Sequence, residues 1–240
     1  MSTTENALNN SINILIVLTS HDQLGETGNK TGYWLEEFAT PYYVFKDAGA
    51  DITIASIQGG QPPIDPTSEQ PEWQSESTQR MNNDQTLLTA LASTLRIDQL
   101  DANQYDAVFF PGGHGPMWDF PGNEQLQHLI EAFNRRDKII SAVCHGVVAL
   151  VDPKQNDGTP LISEKKLSCF SNGEENAVQL TDIVPFLLED KLSETGGIVN
   201  NGTDFEPNVV VDGKLITGQN PASSGPCASQ VLEALKKVRQ

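Results

Sequence analysis

Basic residues are scarce in this 240-residue chain: 15 Lys and Arg face 32 Asp and Glu, for a formal net charge of -17 at pH 7. A field of that sign repels phosphate backbones and anionic lipid, so neither nucleic-acid nor membrane partners are expected. The acidity reads as a solvated surface that keeps the protein dispersed. Cysteine is scarcer still. Cys144, Cys169 and Cys227 are odd in number and far apart, unlike the even, closely spaced set of a disulfide-built secreted domain, so reduced thiols in the cytoplasm are expected. Long apolar runs are missing too. The most apolar stretches, Ile14 to Leu18 and Ile139 to Val151, fall short of the roughly 20 residues that cross a bilayer. The opening MSTTENALNNSIN carries no Lys or Arg, so it lacks the basic start and apolar stretch of a secretory signal and export is not expected.

Histidine occurs only at 21, 114, 128 and 145. No two have helical spacing and there is no Cys-x-x-Cys, so no metal site is expected. His21, in a polar loop, and His128, on an amphipathic helix, read as surface residues. Internal repeats, heptads and tandem domains are also absent, and the length fits a single domain spanning 1–240.

What is present is alternation. Ile12 to Thr19 is a nearly uninterrupted, β-branched apolar run, the pattern of a strand covered on both faces. Trp34 to Ala48 then shows helical spacing, and Gly49 followed by Asp51 to Ser56 reads as a helix stop and a second strand. The unit recurs as strand Ala107 to Phe110, helix Asn123 to Asn134, strand Lys138 to Val143 and helix His145 to Val151. A hairpin is predicted over Asn208 to Asp212 and Leu215 to Gly218, with Asp212-Gly213 at its turn, followed by an amphipathic helix over Ser224 to Val238. The fold class is therefore α/β, a three-layer sandwich with a mostly parallel, flavodoxin-like central sheet flanked by helices. Residues 1–11 read as a flexible terminus. Gln58 to Asp84, rich in Gln, Pro, Ser, Glu and Asp, reads as a surface excursion bordering the active site.

The strongest chemical signal is KIISAVCHGVVALV, an apolar strand that ends at Cys144 with Gly146 relieving the bend into a helix. A strand-to-helix elbow projects its side chain above the sheet and aims free helix N–H groups at it, which lowers a thiol's pKa and makes a nucleophile. The alternative is a buried structural cysteine. A second strand end, AVFFPGGHGPMW, carries glycines that let backbone amides approach a ligand. The N–H groups of Gly113 and His145 would form an oxyanion hole. Trp34 and Trp118 either wall this crevice or pack in the core, Cys169 reads as inert, and Cys227 near a helix start reads as mildly acidic.

The EEFATP segment, the PGGHG loop, AVCHG, FSNGEE and TGQNPAS together resemble the ThiJ/PfpI superfamily, which has a class I glutamine amidotransferase-like fold, and within it the branch of glutathione-independent glyoxalase III enzymes and stress chaperones. The resemblance runs from about Ile12 to Lys237. It implies Cys144 as nucleophile and His145 as its neighbour. It implies a glutamate four residues before Pro41 close to the sulfur, which is Glu37, with Glu36 the other reading. It implies an acid orienting His145 at Glu174, with Glu175 as rival. Here Val147 follows Gly146, where many relatives have proline.

The function so implied is a cytoplasmic, cofactor-free and metal-free enzyme acting on small reactive carbonyls, converting methylglyoxal to lactate without glutathione, and assembled as a homodimer. A holding chaperone or thiol redox sensor is the alternative; a protein deglycase or a cysteine peptidase or amidase uses the same thiol. A glutamine amidotransferase needs a histidine well downstream of its nucleophile, and none follows His145.

Overall fold

The apolar run at the start of the chain becomes the buried centre of a sheet. In the computed structural model, which describes residues 11–238, β1 (Asn13–Leu18) lies between β2 (Asp51–Ser56) and β4 (Ala107–Phe110), parallel to both. The expectation of a flexible segment 1–11 falls almost wholly outside the described residues. Beyond β2 lies the short β3 (Leu95–Arg96), and beyond β4 lie β5 (Ile139–Val143), β9 (Leu215–Gly218) and β8 (Val209–Asp212). The order is β3-β2-β1-β4-β5-β9-β8, and only β8 runs antiparallel. The β8–β9 hairpin turns at Gly213, whose φ of +62° suits glycine. A separate parallel pair, β6 (Lys166–Leu167) and β7 (Ile198–Val199), stands apart from this sheet.

Successive β1 residues feed opposite faces. Leu15 and Val17 join Val108 and Phe110 in one cluster, and Ile14, Ile16 and Leu18 join Phe109 in the other, as the two-residue period of a strand requires. The first face is covered by α4 (Pro116–Asp119), α5 (Glu124–Arg135) and α7 (Leu188–Glu194). In α5 the buried residues Leu126, Leu129, Ile130 and Phe133 form one stripe, and Asn123 caps the helix by accepting from the Leu126 N–H at 3.1 Å. The second face is covered by α1 (Leu35–Asp47), α2 (Glu76–Asn82), α3 (Gln85–Leu91) and α8 (Ser224–Val238). The short α6 (Asn172–Ala177) follows β6. The result is the expected helix, sheet, helix sandwich.

The excursion 58–84 is more ordered than its composition suggests. It forms 3₁₀ turns at Pro66–Glu69 and Pro71–Trp73 before α2. Local caps build them: Asp65 accepts from the Thr67 N–H at 2.9 Å, and Ser75 and Thr78 form a reciprocal capping box. Backbone bonds from Tyr33 N–H to Pro63 O and from Asp65 N–H to Tyr33 O, both 2.9 Å, tie the segment to the approach to α1.

Candidate active site

The strand order changes direction between β1 and β4, and in open α/β sheets the crevice beyond the carboxyl ends of such strands is where ligands bind. Three chain segments converge there: the first turn of α1, the loop after β4 and the residue after β5. Cys144 follows Val143 directly and has φ +57°, a left-handed conformation that costs a non-glycine residue of order 1 kcal/mol. The element that follows is a 3₁₀ helix over Cys144–Leu150 rather than the α-helix expected from His145 to Val151. A glycine and two β-branched valines in its first turns favour the α form poorly. Gly146 is required by close approach, since a Cβ there would lie 2.2 Å from the Phe110 carbonyl oxygen.

The thiol has an imidazole on one side. Cys144 Sγ lies 3.4 Å from His145 Nδ1, and His145 Nε2 lies 2.6 Å from Glu175 Oε2. The other oxygen of the same carboxylate lies 2.8 Å from His114 Nε2. Burial alone would raise the Glu175 carboxyl, but the charges and hydrogen bonds of His145 and His114 outweigh it and hold Glu175 well below the usual carboxylate range. Burial, aided by His114, holds the His145 imidazole below its ordinary value. At neutral pH the pair is thus a carboxylate and a neutral ring. The Nε2 proton is committed to Glu175, which leaves the Nδ1 lone pair facing the sulfur.

A carboxyl group lies on the thiol's other side. Glu37, fully buried on α1, accepts the Gly112 N–H at 2.7 Å through Oε2. Its Oε1 is buried with no hydrogen-bond partner among the described residues. Burial pushes Glu37 up to about 8, so it is protonated at neutral pH. Burial also pushes the Cys144 thiol up, a charged Glu37 would push it further, and the His145 backbone N–H opposes this. The elbow therefore does not give the depressed thiol pKa expected from helix N–H groups: burial keeps the thiol neutral at rest, with His145 Nδ1 beside it. Glu36, the alternative reading, turns away and accepts from Thr40 Oγ1 at 2.6 Å and from Ser75 Oγ.

A family model described as "DJ-1/PfpI family" matches residues 30–234. The chain belongs to the DJ-1/PfpI family. Glyoxalase 3 of Candida albicans is 31% identical over 94% of this chain and 99% of its own length. A Saccharomyces cerevisiae protein named glutathione-independent glyoxalase is 28% identical over 93% of this chain and 98% of its own length. The crystal structure of the Rapid Encystment Protein 24 kDa of Francisella tularensis superposes with a TM-score of 0.90 at 39% identity, covering 93% of this chain and 99% of that one.

In this DJ-1/PfpI chain the acid on the His145 ring is Glu175, which corrects the choice of Glu174. The two oxygens of Glu174 are taken elsewhere: Oε2 accepts the Ser171 N–H at 2.8 Å, and Oε1 accepts the Phe205 N–H at 2.7 Å and Asn220 Nδ2 at 2.8 Å. Ser171 is the N-cap of α6 and Glu174 its reciprocal partner three residues on, so the next residue around the helix is the one that meets His145. The Ser-x-x-Glu pattern was the signal in the sequence that separates the two. His114, to which no role was given, was signalled only by the glycines around it. Histidines far apart in the sequence meet here: the His114 and His145 rings lie 4.0 Å apart, and ligand atoms of His114, His145 and Glu175 all lie within 4.8 Å of one another. Those atoms could hold a metal ion, but both carboxylate oxygens already receive imidazole N–H groups.

The family's glycine loop shapes the floor. Gly113 has φ +89°, and a Cβ on it would lie 2.4 Å from the Gly32 carbonyl oxygen. Its N–H has no acceptor among the described residues. A pocket of about 620 Å³ opens above, lined by Cys144, His145, His114, Glu37 and Gly113 at its base and by Trp34, Trp73, Phe170 and Phe205 on its walls. Trp34 is thus a wall residue, half-buried, with Trp73 from the excursion edge-on to it at 5.4 Å. Trp118 instead packs against the core and stacks on His21. Cys169 and Cys227 are fully buried. Burial pushes the Cys227 thiol up to about 12, which corrects the expectation of a mildly acidic group.

Proposed function

We propose that this protein is a cysteine-dependent glyoxalase that converts methylglyoxal to lactate without glutathione. The observation that carries the reading is a thiol set between the Nδ1 of a neutral, carboxylate-oriented histidine at 3.4 Å and a protonated buried glutamate, at the base of a pocket. The Candida and Saccharomyces relatives, both named as glyoxalases, support it.

Each step then belongs to one of these groups. His145 Nδ1 takes the Cys144 proton, and the thiolate adds to the aldehyde carbon. The new alkoxide, held by the Gly113 and His145 N–H groups, takes that proton back from His145 to give a hemithioacetal. His145 then removes the hydrogen from C1 while Glu37 protonates the ketone oxygen, giving an enediol. Return of the His145 proton to C2, with the C1 hydroxyl proton passing to Glu37, yields the thioester. Water, deprotonated by His145, attacks the thioester carbon, the C–S bond breaks, and the thiolate recovers its proton. The sum is methylglyoxal plus water to lactate.

Purified protein supplied with methylglyoxal and no glutathione forms lactate on this reading, and Cys144→Ala does not. Lactate formation undiminished in Cys144→Ala overturns it. A holding chaperone would suppress client aggregation equally well with Cys144→Ala. Cytoplasmic residence and homodimer assembly belong to the same proposal, the latter read by light scattering of the eluted protein. Among the described residues no helix is long and apolar enough to cross a membrane.

A further inference from the structure

Methylglyoxal leaves most of this pocket unused. A cavity of about 620 Å³ falls within the range of roughly 300–1,000 Å³ that encloses drug-sized ligands, whereas methylglyoxal has only a handful of non-hydrogen atoms. The surplus is mostly apolar. Asn29, Lys30, Asp65 and Thr67 contribute polar groups to the lining, but Trp34, Trp73, Phe170, Phe205, Val178 and Leu180 form most of the wall away from Cys144.

The apolar groups continue to the mouth. Among the described residues, seven large apolar side chains are exposed, and three of them, Trp73 (46%), Val178 (41%) and Phe205 (48%), line this one pocket. A continuous aromatic series leads inward: Phe205 meets Phe170 edge-on at 6.4 Å, and Phe170 lies 4.5 Å from the His145 ring. Clustered exposure of this kind marks a binding surface rather than a packing accident.

Phe205 supplies an independent observation. Its φ is +62°, a conformation unfavourable to a bulky side chain, and its N–H is fixed by the buried Glu174 carboxylate at 2.7 Å. The chain therefore holds a strained backbone to present an aromatic ring to solvent at the pocket mouth. Charge points the same way. Apart from histidine, Lys30 is the only basic lining residue among the described residues, and Asp22 already pairs with it at 2.5 Å, so an anionic substituent meets little attraction on a chain of net charge -17.

We infer that this vestibule is a subsite for a neutral aryl or branched alkyl group carried by the electrophile that Cys144 attacks. Resting on the glyoxalase reading, the substrate class is 2-oxoaldehydes whose substituent is apolar and larger than methyl. Phenylglyoxal plus water gives mandelate by the same steps that give lactate from methylglyoxal.

Two readouts separate this inference from the reaction it rests on. The first compares kcat/KM for phenylglyoxal and methylglyoxal, followed as mandelate and lactate. The second compares Cys144 alkylation by phenacyl chloride and chloroacetone, each rate divided by that with free N-acetylcysteine, and needs no turnover. A phenyl-to-methyl ratio of about tenfold or more is expected in both, falling at least about threefold in Phe205→Ala and Trp73→Ala. A normalised alkylation ratio near one, or one unchanged in both variants, overturns the vestibule. If neither mandelate nor lactate forms while the alkylation preference persists and responds to the variants, the subsite stands and the glyoxalase reading falls.

Discussion

Glu175 holds the His145 ring by a 2.6 Å contact between Oε2 and Nε2, while its neighbour Glu174 spends both oxygens on Ser171, Phe205 and Asn220. One residue's difference along α6 separates an acid that holds the His145 ring from one that fastens loops.

The two glutamates therefore differ in kinetics. Glu175→Gln removes the charge that commits the Nε2 proton, and a loss of about a hundredfold or more in kcat is expected. Glu174→Gln weakens the anchor of Phe205 and acts chiefly on KM and on melting temperature. Steady-state kinetics and thermal melts of both variants check this, and the reverse pattern would return the orienting role to Glu174.

Alkylation by iodoacetamide should fall on Cys144 ahead of Cys169 and Cys227, because only Cys144 lines the pocket and the other two are fully buried. Burial pushes the Cys144 thiol up, with Glu37's charge adding to it, so the rate should keep climbing as pH rises past neutrality. Glu37→Gln removes that charge and should move the climb to lower pH. Peptide mapping of the labelled protein across a pH series reads both effects.

Glu37 also links stability to pH. Its carboxyl is raised from 4.5 to about 8 on folding, so across that window the folded state binds more protons than the unfolded state. Stability contributed by this site is full below the unfolded value and is lost as pH rises towards about 8. Glu37→Gln should flatten the fall, its melting temperature gaining on the wild type between about pH 5 and about pH 8.5. Turnover should decline as pH passes about 8, when Glu37 no longer has a proton to give. A melting-temperature difference that does not change with pH argues against a protonated Glu37.

Gly146→Ala tests the elbow. Its methyl group would sit 2.2 Å from the Phe110 carbonyl oxygen, against backbone that cannot swing aside. Destabilisation of about 2 kcal/mol or more is expected, measured as a shift in the urea midpoint.

Periodicity and punctuation made much of the fold legible. The buried run at Ile14–Leu18, the α5 stripe and the closing helix at Ser224–Val238 lie where the apolar spacing puts them, within a residue or so. So does the hairpin around Asp212-Gly213. The excursion 58–84 was harder to read because its order comes from short-range caps, Asp65 to Thr67 and Ser75 with Thr78, inside a composition typical of loops.

At the site, the sequence by itself determined that a cysteine ends a buried strand with a histidine and a glycine after it, and that a second glycine-rich strand end exists. Only the tertiary structure decided which groups meet. His114 and Glu175 are 61 residues apart and His145 and Glu175 are 30 apart, yet one carboxylate joins both rings. Trp73 enters the pocket wall because the excursion bonds to Tyr33, and Phe205 does because Glu174 holds its N–H. Burial, which a sequence records only as local apolarity, set the protonation: it raised Glu37 to about 8 and raised the thiol beside it, where the elbow alone argued for a thiolate. The physical reason is desolvation, a property of everything packed around a group rather than of the residues next to it in the chain.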